Sequence, residues 1–183
     1  MRSTAIVGLM LLAACASGGS GGSGNQSPGI KHVLYGDTDL GTYSPEGGAA
    51  ASYEIASPAL TVWQYLPVAY SRLGLTVTRY DSSSHVIEGE RLRSHADFGR
   101  KSLASMLNCG DVAGVPNVTH YDVNIRVRTA LSGTSAASSI SNTVNASARP
   151  SSVSGDEIPC TGGSGISDQV AAAVTSAIAE ATK

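Results

Sequence analysis

The segment that most limits the fold of this chain is 119–131. There Tyr121, Val123, Ile125, Val127 and Leu131 alternate with His120, Asp122, Asn124, Arg126 and Arg128. An apolar residue at every second position is the period of a pleated strand, whose successive side chains point to opposite faces. One face of that strand is core and the other wet, the habit of an antiparallel sheet covered on one side. Ile140, Val144, Ala146 and Ala148 repeat the alternation over 138–149.

Shorter patterns fill in the rest. Lys31 to Tyr35 reads as a short strand, turn-rich sequence follows through Gly48, and Ala51, Tyr53 and Ile55 alternate with Ser52 and Glu54 in a strand at 50–56. Ser57-Pro58 offers an N-cap followed by proline at the first helical position. Val62, Leu66, Ala69 and Leu73, flanked by Trp63 and Tyr70, fall at helical spacing over 58–73, and Gly74 supplies a stop. Pro67 interrupts that pattern; an interior proline removes a hydrogen bond and costs about 3 kcal/mol, so a kink or a split into two helices is expected. Leu75, Val77 and Arg79 oppose Thr76, Thr78 and Tyr80, and with a turn at 81–84 and a second strand from His85 to Arg93 they predict a hairpin. Leu103, Met106 and Leu107 suggest a short helix at 99–108. Ile166, Val170, Ala173, Val174, Ala177 and Ile178 form a longer helical stripe at 166–181, with Asp168 in its first turn favouring the helix dipole. This order predicts an α+β fold: an antiparallel sheet with helices packed on one face, in two layers.

Composition narrows the function. A chain of 183 residues suits one globular domain with attachments. Hydrophobic residues make up 42 %, yet there is one Phe, one Trp and seven Tyr, so the core is expected to be small and aliphatic. The net charge of −2 lacks the basic footprint of nucleic-acid binding.

The N-terminus is the most informative stretch for location. Met1 and Arg2 form a minimal positive start, Ala5 to Ala14 is almost wholly apolar, and small residues precede Cys15. That is a signal-peptide layout, too short for the roughly 20 residues of a membrane span. Leu12-Ala13-Ala14-Cys15 resembles the lipobox of bacterial lipoproteins. The resemblance implies cleavage before Cys15, a thioether from its sulfur to a diacylglycerol, and two or three acyl chains on the mature N-terminus; two give stable anchoring where one is marginal. An ordinary secretory signal cut near Ala14 or Ala16 is the alternative. Residues 1–14 are then the signal peptide, 15–29 the lipidated cysteine and a Gly/Ser-rich tether, and 30–183 a single globular α+β domain held on the order of 20 Å from the lipid. Ala16 stands where, in lipoprotein sorting, an aspartate favours inner-membrane retention, so the resemblance points to the outer membrane facing the periplasm. The tether also matches G-x-G-x-x-G at Gly19, Gly21 and Gly24 and the nucleophile-elbow pattern at Gly18 to Gly22. Neither match follows a strand or opens a helix, the context both chemistries need.

With lipobox and tether in front, the element order resembles the small α+β domains of envelope lipoproteins, of the helix-grip type. The resemblance implies a non-enzymatic binding or structural role, such as an accessory of outer-membrane assembly or maintenance. With Cys15 lipidated, Cys109 and Cys160 remain as an even pair, which in an oxidising compartment reads as a disulfide tying the final helix to the domain; two unpaired thiols are the alternative. His32, His85, His95 and His120 are scattered without H-E-x-x-H or C-x-x-C spacing, so no metal or cofactor is expected. His95 and Asp97, and His120 and Asp122, stand two apart, which on a strand puts each pair on one face, where the carboxylate could orient a general base. Solvated sheet faces carry such pairs too, so the expectation is a binding protein and not an enzyme, with a small periplasmic hydrolase as the alternative. A third reading, an apolar ligand between sheet and helices, needs a cavity that short alanine-rich helices are ill suited to enclose. Arg126 and Arg128 share the wet face of their strand and are the candidate contacts for an acidic envelope partner or anionic headgroups, because a planar guanidinium suits carboxylates and phosphates.

Overall fold

The computed structural model describes residues 31–35, 38–43, 49–94, 97–151 and 156–183. The signal peptide, Cys15, the tether and His95 lie outside them. Strands β1 (Lys31–Tyr35) and β2 (Thr38–Tyr43) pair antiparallel in a two-stranded ribbon of their own. The main body follows as β3 (Ala49–Ile55), α1 (Ala59–Arg72), β4 (Thr76–Asp81), β5 (Val86–Ser94), β6 (Tyr121–Gly133), β7 (Ser138–Pro150), the short β8 (Ile158–Pro159) and α2 (Ser164–Ala181).

These strands make one six-stranded antiparallel sheet in which β4, β5, β6 and β7 are successive neighbours. Two strands share the outer edge of β7, β3 along Ser138–Val144 and β8 at Ser147 and Ala148. Since β3 and β4 stand at opposite sides of the sheet, α1 has to pass over one face to join them, and α2 packs beside it. The result is an α+β fold with the helices on one face.

The register explains why that face is chosen. β6 and β7 pair along their whole length, which sets Ile125 beside Ala146, Val127 beside Val144 and Leu131 beside Ile140, all buried. Onto this surface α1 lays Val62, Trp63, Leu66, Ala69 and Tyr70, and α2 lays Ile166, Val170, Val174 and Ala177. Each large aliphatic side chain so buried contributes about 1.5–3 kcal/mol. Gly89 on β5 makes room for Tyr70, because a Cβ there would stand 2.7 Å from the ring.

Several local expectations are corrected. Pro67 lies inside α1, which is one helix from Ala59 to Arg72, so the split into two does not occur. Proline deprives the helix of one donor, but Trp63, Leu66 and Tyr70 on either side of it are buried, and that burial carries the helix through the defect. The segment 99–108 is not a helix. It consists of a ribbon pairing 97–98 with 101–102, a single 3-10 turn at Leu103–Ser105, and a pairing of 107–108 with 161–162. Leu103, Met106 and Leu107 are buried as their spacing implied, but the backbone on either side of the turn pairs as strand, 101–102 with 97–98 and 107–108 with 161–162. In β4 a bulge between Val77 and Arg79 upsets the alternation: Val77 pairs with Gly89 and Tyr80 with Ile87 on the helical side, while Arg79 pairs with Glu88 on the other. α2 begins at Ser164, so Asp168 falls beyond the first turn, and its carboxylate accepts the Tyr53 hydroxyl at 2.7 Å. β6 starts only at Tyr121, after a 3-10 turn at Asn117–Thr119, which leaves His120 ahead of the strand.

Cys109 and Cys160 form a disulfide, their Cα atoms 4.2 Å apart across a separation of 51 residues. It joins the loop before β6 to the approach of α2, as the sequence led us to expect.

Candidate functional site

The helices cover one face of the sheet; among the described residues the opposite face is uncovered. Alternation and register together build its surface. Arg128 on β6 stands between Glu88 on β5 and Thr143 on β7, Arg126 between Glu90 and Asn145, and Asn124 beside Ser147. Arg128 Nε lies 3.3 Å from Glu88 Oε1 and Arg126 Nη2 lies 3.8 Å from Glu90 Oε2. Glu88 also meets Arg79 Nη1 at 3.6 Å. The side chains of Arg126 and Arg128 are 70 % and 50 % exposed, those of Glu90 and Glu88 only 29 % and 27 %. Each guanidinium group therefore stands further out than the carboxylate beside it. Exposed pairs of this kind contribute about 0–1 kcal/mol to stability; they fix the direction of the arginines more than they hold the fold.

Where β8 leaves β7, the open face dips into a cavity of about 400 Å³ between Glu90, Arg126, Asn145, Ser147, Glu157 and Pro159. The Ser147 hydroxyl donates to Glu157 Oε1 and closes one side. Asn145 Oδ1 is buried there without a hydrogen-bond partner. The lining can hold a polar ligand, and it contains neither histidine nor cysteine.

The histidines are placed elsewhere. His120 is exposed, its Nδ1 3.4 Å from Thr119 Oγ1 and its ring edge-on to Tyr121 at 4.8 Å. His85 occupies a turn at φ 51°, its ring edge-on to Trp63 at 5.4 Å. The His32 side chain and His95 lie outside the described residues. Among the described residues no three or more His, Cys, Asp or Glu gather as a metal would require, and no helix is long and apolar enough to cross a membrane.

Sequence reasoning placed Arg126 and Arg128 on the open face and missed what surrounds them, because Glu88 and Glu90 become their neighbours only through the pairing of β5 with β6. It also missed a polar chain beneath this face. The Tyr70 hydroxyl lies 2.8 Å from Thr129 Oγ1, Thr129 donates to Asn142 Oδ1 at 2.7 Å, and Asn142 Nδ2 donates to the Ser167 carbonyl at 3.3 Å. With its own proton committed to Asn142, Thr129 accepts from Tyr70. Burial pushes the Tyr70 phenol well above its ordinary value, so it remains a donor. The signal was present in the sequence: Thr129 and Asn142 fill apolar slots in two alternating runs.

No family model matches this chain, and no curated protein matches it. Among solved structures it is similar to a DUF4468 family protein from Bacteroides ovatus, with a TM-score of 0.36 and 8 % identity over 64 % of this chain and 63 % of that one. The chain thus spans less than two thirds of the length of that structure.

Proposed function

We propose that this chain is a lipid-anchored protein of the bacterial cell envelope, in the outer membrane facing the periplasm, whose domain binds an acidic envelope protein through the open face of its sheet and catalyses no reaction. The observation that carries the reading is the one-sidedness of the sheet, with both helices on one face and the exposed guanidinium groups of Arg126 and Arg128 on the other. Leu12-Ala13-Ala14-Cys15 supports the anchor, and a disulfide between Cys109 and Cys160 suits an oxidising compartment. Within the chain Glu90 pairs with Arg126 and Glu88 with Arg128. A partner's carboxylates can take their place, forming planar two-point bonds that a guanidinium makes better than an ammonium does.

The test is crosslinking in the native envelope with the double variant Arg126→Ser, Arg128→Ser. Because exposed pairs contribute about 0–1 kcal/mol, the variant should keep its Tm while losing the crosslinked partner. Crosslinks of undiminished yield would remove this face from the binding surface.

A further inference from the structure

A second concave feature lies on the helical layer, and its charge is lopsided. The end of α1, the ribbon at 97–102 and α2 enclose a groove of about 570 Å³ whose walls carry Arg72, Arg100, Lys101 and one carboxylate, Glu180. Glu180 is already engaged. Its Oε1 accepts Arg72 Nη1 at 3.0 Å and the Ser176 hydroxyl at 2.9 Å, and its Oε2 accepts Arg72 Nη2 at 2.8 Å. Arg100 and Lys101 have no carboxylate partner among the described residues. Two uncompensated cations therefore stand side by side in a chain whose net charge is −2.

Their position is built into the fold. Gly99 has φ +63°, and a Cβ there would stand 2.7 Å from Gln169 Oε1 and 3.0 Å from Leu73 Cδ2. Glycine thus lets the ribbon tip wedge between the end of α1 and α2. Gln169 Oε1 then accepts the backbone N–H of Arg100 at 3.3 Å, which ties the tip to α2.

We infer that this groove binds a phosphate-bearing anion, gripped by Arg100 and Lys101. A phosphate offers several charged oxygens that a guanidinium fork and an ammonium can share, and such charge-assisted bonds are among the stronger ones in proteins. The inference is independent of the reading of the sheet face. The phosphate has two possible sources, a free soluble anion or a lipid headgroup.

The experiment uses the full chain carrying Cys15→Ser, so that no acyl group contributes to membrane attachment. It is titrated with inorganic phosphate while backbone amide shifts are followed, and it is sedimented with vesicles of phosphatidylglycerol in phosphatidylcholine and of phosphatidylcholine alone. Saturable shifts at Gly99, Arg100, Lys101 and Gln169 with inorganic phosphate identify a soluble anion; sedimentation dependent on phosphatidylglycerol without those shifts identifies a headgroup. In either case Arg100→Ala with Lys101→Ala should weaken binding about tenfold or more, with an unchanged Tm. Arg149→Ala, which removes an exposed arginine elsewhere, should weaken it far less than Arg100→Ala alone. Absence of both responses, or equal loss in the Arg100 and Arg149 variants, would overturn the inference.

Discussion

Thr129 and Asn142 face each other across β6 and β7, fully buried, in positions where both strands otherwise present apolar side chains. Each is tolerated because the chain of donors from Tyr70 to the Ser167 carbonyl leaves neither hydroxyl nor amide oxygen unpaired. Thr129→Val keeps the shape and removes the middle link. Tyr70 then has only the Ile87 carbonyl at 3.4 Å, and Asn142 Oδ1 has nothing. Urea unfolding should show a loss of about 1–3 kcal/mol, the cost of burying an unpaired polar group, and Thr129→Ser should recover most of it. Tyr53 supplies a pH effect. Its phenol is pushed up from 10.0 to about 12, first by burial and then by its hydrogen bond to Asp168. The folded state holds the proton more tightly than the unfolded state, so this contribution is whole below pH 10 and fades as pH climbs through about 12. Urea midpoints of wild type and Tyr53→Phe should therefore converge over that interval; a gap that stays constant would show that the bond does not set the titration.

At the scale of elements, the long strands were legible because a period of two is a local property that 119–131 and 138–149 carry in their own residues. The helical stripes of α1 and α2 were legible for the same reason. Three apolar residues at 103–107 were not enough, since any tight turn that faces the core buries them equally well, and the bulge of β4 depends on its pairing with β5. The disulfide was predicted from cysteine count and compartment, and its energetic role can be tested directly. Closing a loop of 51 residues restricts the unfolded chain, so Cys160→Ser should cost about 2–5 kcal/mol. Hydrogen exchange should show the loss first at the start of α2, around Ile166 to Val170, because Cys160 anchors the segment that leads into it. Free-thiol counting on the denatured wild type should find Cys109 and Cys160 unreactive.

For the molecule as a whole, the candidate site was half legible. The exposed side of β6 follows from alternation alone, whereas the carboxylates beside Arg126 and Arg128, and the wedge of Gly99 against Gln169, join residues far apart in sequence that only the folded chain brings together. The proposed anchoring rests on a single atom, the Cys15 sulfur. Cys15→Ala should abolish incorporation of labelled palmitate and move the protein out of the membrane pellet or leave it unprocessed; label persisting on that variant would end the lipoprotein reading. Such an anchor has a consequence for β4, which pairs only with β5 among the described residues and so closes the sheet with a row of unshared backbone groups. A straight rim of that kind is a template on which further copies can stack into fibrils. Proteins confined to a surface meet their own kind far more often than proteins in bulk solvent do. The extra residue between Val77 and Arg79 spoils the spacing of that rim, and an edge so bulged is a poorer template for a second copy.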